Sequence, residues 1–185
     1  FLDNVLSDFI KRAPDQFSDA TYAAEKERSV GLGVMGFHSF LQKNNIPLES
    51  VMSKAWNKKI FKKIQEGVDQ ASKDLAEERG ACPDAAEYGF NERFSNKTAI
   101  APTASISVIC GGASPGVEPV AANSYTHKTL SGSFNVRNRY LVEVLEGYGK
   151  NTDEIWSGIT NNQGSVSHLD FLTDIEKDVF KTAFE

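Results

Sequence analysis

Residues 98–109 read Thr98-Ala-Ile-Ala-Pro-Thr-Ala-Ser-Ile-Ser-Val-Ile109, and they give the clearest indication of the fold class. Its first four residues are typical of a short buried strand, and Pro102 ends that strand because proline cannot donate a hydrogen bond to a sheet. A helix is predicted to begin at once, between Thr103 and Ser105, and to end at the glycine pair 111–112. A strand that leads directly into a helix indicates an α/β fold.

The start of that helix is the strongest candidate site in the chain. The first amide groups of a helix have no partners within it, so they favour an anion such as a phosphate. The hydroxyl groups of Thr103, Ser105 and Ser107 add further donors. Plain N-capping by Thr103 or Ser105 would explain the same residues without a ligand. The local chemistry leaves both interpretations open.

Helices dominate the rest of the chain. The clearest one begins near Glu49 or Ser50 and runs to Arg79. It carries one apolar stripe, formed by Trp56, Ile60, Ile64, Val68, Ala71 and Leu75. Thr173 and Glu176 predict a capping box at the start of the last helix. Further helices are predicted over residues 2–12, 37–43, 139–145, 153–159 and 174 to the end, which makes the pattern α/β with helix in excess.

Composition excludes some classes of partner. The chain has 185 residues and a formal net charge of −5, from 20 basic and 25 acidic residues. No basic block stands out, so nucleic acid is not expected as a partner. No apolar run approaches the roughly 20 residues that a membrane-spanning helix needs, so no membrane partner is expected either.

Cysteine and histidine usage gives no catalytic or metal site. Two cysteines are too few for a disulfide framework, and they indicate a reducing, cytoplasmic location. Cys82 lies in a turn and Cys110 on the apolar side of the short helix, so packing is expected for each. No metal site is predicted, because no ligand spacing relates His38, His127 and His168.

The segment Gly31-Leu-Gly-Val-Met-Gly36 matches the glycine fingerprint of dinucleotide-binding folds, and a helix follows it. Such a fold needs a hydrophobic strand before the glycines, whereas the charged residues 25–29 precede them here. Close backbone packing at a bend explains the glycines better. A dinucleotide-binding protein that uses Gly31 to Gly36 stays as an alternative.

Both ends of the chain look like interruptions of a longer sequence. Phe1 stands inside an apolar-periodic stretch, and no stop signal follows the last predicted helix. We therefore expect the chain to be a segment of a longer polypeptide.

Four motifs occur in order along the chain, at residues 27–36, 101–105, 114–119 and 125–134. Together they resemble the large (alpha) subunit of ribonucleotide reductase, in the C-terminal part of its catalytic barrel. The resemblance extends along essentially all 185 residues. The Tyr-Thr-x-x-x-Leu-Ser-Gly-x-Phe run is similar to the class I, diiron-dependent enzymes. This run favours class I, although the Pro-Thr-Ala-Ser loop has a close counterpart in the cobalamin-dependent class.

The resemblance implies a fold and a site. The family fold is a barrel of ten strands in two parallel halves, and residues 1–185 would form part of the second half as one partial domain. In the family the matching loop and its helix bind the phosphates of the substrate nucleotide. The implied phosphate-binding residues are Pro102, Thr103, Ala104, Ser105 and Ile106. The family's glycine-rich stretch is structural.

The resemblance also implies a reaction, which is the radical-based reduction of a ribonucleotide, normally the diphosphate, to a deoxyribonucleotide. The radical cysteine of the family stands in an Asn-x-Cys-x-Glu loop, and neither Cys82 nor Cys110 matches that context. No catalytic residue is therefore assigned to this chain, and the segment alone is expected to be inactive.

The implied partners are the ribonucleoside diphosphate substrate, the remainder of the alpha subunit, a second alpha subunit and the beta subunit. No cofactor is expected to bind this segment, since in class I the dimetal centre that generates the radical belongs to the beta subunit. An alternative is a non-catalytic half of a split reductase that assembles with a complementary chain.

Overall fold

The computed structural model describes residues 1–129 and 132–185. These residues form two compact units, the first of Phe1–Gly33 with Asn57–Ala101 and the second of Val34–Trp56 with Pro102–Glu185. Leu130 and Ser131, which belong to the motif at 125–134, lie outside the described residues.

Helices are the main regular secondary structure of both units, as predicted. In chain order they are α1 (Leu2–Arg12), α2 (Ser18–Glu27), α3 (Phe37–Lys43), α4 (Val51–Arg79), α5 (Pro83–Glu87), α6 (Ala104–Ile109), α7 (Arg139–Gly147), α8 (Asp153–Asn161) and α9 (Asp174–Val179). The sequence pattern does not predict α2 and α5. The reason is that α2 buries none of its residues and α5 only Ala85, so neither has an apolar stripe.

A buried ionic cluster around Asp3 fixes the first unit. Asp3 is 2% exposed, and it contacts Arg28 Nη2 at 2.6 Å, Arg79 Nη1 at 2.9 Å and Arg93 Nε at 2.9 Å. Burial would raise the pKa of Asp3, but hydrogen bonds from Arg93, Arg28 and Arg79 outweigh it and hold the pKa at about 2. The cluster therefore joins α1 to the ends of α2 and α4 and to the segment after α5.

The strand predicted over residues 98–101 is wrong. Thr98 makes a single parallel bridge with Leu32, and Ile100 is 77% exposed. Leu32 N donates to Lys97 O at 3.0 Å and Ala99 N donates to Leu32 O at 3.2 Å, after which the pairing stops. Apolar composition favours a strand only where a neighbouring strand is present to pair with it, and within the described residues no further segment does so.

The second unit contains an antiparallel hairpin of β1 (Ser124–Thr129) and β2 (Gly132–Arg137). Ser124 lies opposite Arg137, and Thr129 lies opposite Gly132. These two strands were not predicted, although both contain the aromatic and β-branched residues typical of strands. The hairpin leads directly into α7.

The core of the second unit lies between α7, α8 and the chain that follows them. Side chains spaced three or four residues apart on each helix point into it, as the apolar periodicity predicts. Its members are 5% exposed or less, and they are Leu141, Leu145, Trp156, Ile159, Val166, Leu169, Leu172, Val179 and Phe180.

The last helix is shorter than predicted. The capping box of Thr173 and Glu176 is confirmed. However, α9 ends at Val179 instead of continuing to the end of the chain. Asn123 Nδ2 donates to the carbonyl oxygen of Phe180 at 2.6 Å, so a side chain from a distant loop satisfies the backbone where the helix stops.

The long helix α4 is confirmed, but its apolar stripe is not a fully buried surface. Ala71 is exposed and the other five stripe residues are half-buried. The fully buried positions on the helix include Ser72, whose hydroxyl accepts from the amides of Arg93 and Phe94. Among the described residues, no helix combines the length and the apolar character needed to cross a membrane.

Candidate functional site

The predicted phosphate loop lies in the second unit, at the start of α6. Thr103 is the N-cap residue and has a φ of 53° and a ψ of 27°, a left-handed conformation that β-branched residues seldom adopt. Ser107 N donates to Thr103 O at 2.8 Å, which is the first hydrogen bond of the helix. The amides of Ala104, Ser105 and Ile106 have no acceptor among the described residues. Three adjacent donors are therefore available at one point.

The hydroxyl groups of the loop differ in their surroundings. Thr103 Oγ1 accepts from Gly116 N at 2.8 Å, and no side chain caps the helix, so the plain N-capping interpretation is wrong. Ser107 is buried and its hydroxyl donates to Ala104 O at 2.8 Å, which removes it from the predicted donor set. Ser105 is exposed. Thr103 and Ser105 are thus the two hydroxyl groups left beside the free amides.

A pocket of about 340 Å³ adjoins the loop within the second unit. Its lining includes Ala104 and Val108 of α6, Tyr125 of the hairpin, and the basic residues Arg137 and Arg139. No local pattern in the sequence relates the two arginines to the loop, because they lie more than 30 residues after it. They make the surroundings of the loop more favourable to an anion.

The two arginines are not equivalent. Arg137 Nη2 lies 2.7 Å from Asp153 Oδ1, and its guanidinium lies 5.2 Å from the Trp156 ring centroid. Arg139 lies 5.1 Å from the ring centroid of Tyr140, and no ion pair of the described residues involves it. Arg139 is therefore the cation near the loop that can pair with an added anion.

The two cysteines behave differently from each other. Cys82 is buried, as its packing prediction requires. Cys110 is exposed, so the prediction that it packs in a core is wrong. It follows the short helix α6, whose apolar residues Ile106 and Ile109 are 56% and 82% exposed. An apolar side on a helix indicates burial only where another element covers it.

The glycine-rich segment is explained by close packing. A Cβ atom at Gly31 would lie 2.8 Å from Ala99 Cβ, and one at Gly33 would lie 2.9 Å from Ala99 O, both within the first unit. In the second unit Gly36 has a φ of +83° and donates to Ser114 O at 2.9 Å. These contacts need glycine for structural reasons and favour the packing interpretation over a dinucleotide site.

His38 is a structural residue of the second unit. It is 1% exposed, and its Nδ1 accepts from Val120 N at 3.1 Å. Burial lowers its pKa to about 4, so the ring is neutral near pH 7. In the part of the chain that the structure describes, His, Cys, Asp and Glu side chains form no group of three that could hold a metal ion.

Comparisons with known proteins extend over almost the whole chain. The family model of the ribonucleotide reductase barrel domain matches residues 1–92 and 84–185. This chain is 48% identical to the ribonucleoside-diphosphate reductase large subunit of Invertebrate iridescent virus 6. It is 44% identical to the large subunit of Invertebrate iridescent virus 3. The matches cover 100% and 98% of this chain, but 19% and 29% of those proteins.

A solved structure gives the same result for the fold. The class Id ribonucleotide reductase alpha subunit of Actinobacillus ureae has a TM-score of 0.87 and 41% identity, over 97% of this chain and 33% of that one. These matches define the class of protein as an α/β barrel domain, which confirms the predicted helix-rich part of a barrel. The chain belongs to the ribonucleotide reductase barrel-domain family. It spans between 19% and 33% of the length of these relatives.

Proposed function

We propose that this chain is the segment of a ribonucleoside-diphosphate reductase large subunit that binds the diphosphate of the substrate. The complete enzyme would reduce ribonucleoside diphosphates to deoxyribonucleotides by radical chemistry. The names of the viral relatives support this substrate class, and the alpha subunit of Actinobacillus ureae supports class I. A cytoplasmic location fits two cysteines that are both free.

One observation carries the proposal, namely the three unpaired amides of Ala104, Ser105 and Ile106 at the start of α6. They are the first three amides of the helix, and a phosphate bound at its start would accept from them directly. The exposed hydroxyl of Ser105 and the guanidinium of Arg139 would add further hydrogen bonds and charge. Pro102 has no amide hydrogen, so its part is to set the direction in which the chain enters the loop.

The chemistry itself would come from other parts of the enzyme. Cys82 is buried and Cys110 follows a helix outside any radical-cysteine motif, so neither fits a radical or redox role. The segment would work together with the remainder of the alpha subunit, a second alpha subunit and a beta subunit with its dimetal centre. By itself it would bind one end of a substrate and catalyse nothing.

The test is Ala104→Asp in the complete large subunit that carries this segment. Ala104 is exposed and lines the pocket, so the added carboxylate can be accommodated without disturbing a core. It would repel the phosphates and compete for the free amides. Removing or blocking one charge-assisted hydrogen bond costs about 1.5–3 kcal/mol, which is roughly tenfold to hundredfold in affinity.

Ala104→Ser is the matched control, because it adds a polar atom at the same position without a charge. We expect it to bind a ribonucleoside diphosphate as the parent does, while Ala104→Asp binds it much more weakly. Affinity can be measured by equilibrium dialysis. Equal diphosphate affinity in Ala104→Asp and the parent would remove the phosphate role from this loop.

A further inference from the structure

A pair of buried serines joins α3 to the loop that follows α6. Ser39 and Ser114 are 6% and 0% exposed. Ser39 N donates to Ser114 Oγ at 3.1 Å, and Ser114 N donates to Ser39 Oγ at 2.8 Å. Gly36 N donates to Ser114 O at 2.9 Å. Three hydrogen bonds therefore fix Ser114 against the beginning of α3.

The same loop reaches the phosphate-binding residues two positions later. Gly116 N donates to Thr103 Oγ1 at 2.8 Å. This bond holds Thr103, which has a φ of 53° although it is not a glycine. A threonine adopts the left-handed region only when its surroundings impose it. The bond from Gly116 supplies such a constraint.

We propose that Ser39 and Ser114 are positioning residues for the phosphate loop, an inference that rests on the proposed function. They fix the position of Gly116, and Gly116 holds Thr103 in its left-handed conformation. The dihedral angles of Thr103 set the direction of the Ala104 amide and of the helix start that follows. The serine pair thus aims the free amides at the phosphate without touching it.

The Thr103 hydroxyl gains a defined role from the same arrangement. Its oxygen accepts from Gly116 N, so its own proton is free to donate elsewhere. A hydroxyl that accepts one hydrogen bond also becomes a better donor. The bond from Gly116 therefore turns Thr103 into an oriented donor for a phosphate oxygen.

The glycine-rich segment takes part in this arrangement through its last residue. Gly36 is the N-cap residue of α3, has a φ of +83° and donates to Ser114 O. A side chain would strain this conformation. A segment that resembles a dinucleotide fingerprint thus serves to hold the loop that orients the phosphate site.

The test compares Ser39→Ala and Ser114→Ala with the parent in the complete large subunit. Affinity is measured for a ribonucleoside diphosphate and for the nucleoside without phosphates, together with kcat and KM. Each variant removes one hydroxyl of the pair, and a hydrogen bond of this kind is worth about threefold to tenfold in an equilibrium constant. We expect a loss of that size in diphosphate affinity and KM, with unchanged nucleoside affinity and unchanged kcat at saturating substrate.

Ser72→Ala is the matched control. Ser72 is 0% exposed, and its hydroxyl accepts from the amides of Arg93 at 3.0 Å and Phe94 at 3.3 Å within the first unit. Its removal has a similar structural cost, but the residue lies outside the arrangement that holds the loop. We expect the Ser72→Ala variant to bind the diphosphate with the same affinity as the parent.

The outcomes separate this inference from the proposed function. If Ala104→Asp weakens diphosphate binding but both serine variants bind as the parent does, the positioning role is wrong and the phosphate loop stands. If a serine variant loses affinity equally for the diphosphate and for the nucleoside, the positioning role is also wrong, because such a loss indicates a general structural effect. If Ser114→Ala does not fold, Ser39→Ala decides the matter alone, since it leaves the Ser114 hydroxyl in place. If Ala104→Asp has no effect, the proposed function fails and the inference fails with it.

Discussion

Replacing Asp3 with asparagine should destabilise the first unit strongly. Asp3→Asn keeps the shape of the side chain but removes the charge that Arg28 and Arg93 share. Those two arginines are 8% and 11% exposed at the side chain, so solvent cannot replace the lost counter-ion. Removing one partner of a buried ion pair costs about 3–5 kcal/mol. Arg79 is 36% exposed and can regain water, so we expect a loss near the lower limit.

The assay is urea unfolding of the parent and the variant at neutral pH, with the midpoint and slope compared. Asp8→Asn is the matched control, because Asp8 lies on the same helix, is 64% exposed and pairs with Arg12 at 3.3 Å. An exposed pair of this kind contributes less than about 1 kcal/mol. A similar loss for Asp3→Asn and Asp8→Asn would refute the argument that burial decides the cost.

The pH dependence of the free energy of unfolding gives an independent test of the role of Asp3. The folded state holds the pKa of Asp3 at about 2, below its usual value of 3.8. The unfolded state therefore binds the proton first, and the stabilisation is complete above pH 3.8 and is lost as the pH falls toward 2. This difference amounts to about 2 kcal/mol. Between pH 3.8 and 2 the free energy of unfolding of the parent should fall by this amount relative to that of Asp3→Asn. Parallel pH profiles of unfolding free energy for the two proteins would contradict the prediction.

Three further predictions concern other residues. Burial lowers the pKa of His38 from 6.5 to about 4, so the free energy of unfolding should fall by about 3 kcal/mol as the pH drops between these values. His38→Gln should remove this dependence, and an unchanged pH profile would show that another group causes it. Cys82→Ser and Cys110→Ser in the complete large subunit should keep turnover within about tenfold of the parent, and a loss of several orders of magnitude would make either cysteine catalytic. Gly33→Ala should lower the melting temperature, because its Cβ would lie 2.9 Å from a backbone oxygen, whereas Gly67→Ala has open space and should raise it. Equal shifts in the two glycine variants would contradict the packing argument.

The helices could be predicted because their signals are local. The helix over residues 37–43 has the predicted bounds, and α1 ends at Arg12, before the Ala13-Pro14 pair. Thr173 and Glu176 form the expected capping box. Apolar spacing, caps and proline all act within a few residues along the chain, so the sequence contains them directly.

Strand pairing and the burial of helix surfaces could not be predicted in the same way. Residues 98–101 have strand composition but form a single bridge, because only the segment around Leu32 pairs with them. Cys110 was predicted to lie on the apolar side of the short helix, but it follows α6 and is exposed. Both predictions assumed a neighbour that apolar composition alone does not supply.

The helix start at the candidate site was predicted, but the contacts that surround it were not. A helix start with hydroxyl residues nearby is visible in the sequence, and α6 begins at Ala104 as expected. The bond from Gly116 to Thr103 joins residues 13 positions apart, and the bonds between Ser39 and Ser114 join residues 75 positions apart. No local pattern indicates which distant backbone group will meet a hydroxyl, so these contacts required the structure.

A crystal structure of the complete large subunit with a ribonucleoside diphosphate bound would test directly whether this loop binds the phosphates. We expect phosphate oxygens within hydrogen-bonding distance, about 2.7–3.2 Å, of the amide nitrogens of Ala104, Ser105 and Ile106. The Thr103 hydroxyl should donate to the same phosphate while it still accepts from Gly116 N. A substrate whose phosphates lie elsewhere, with these three amides bonded to water or protein, would contradict the claim.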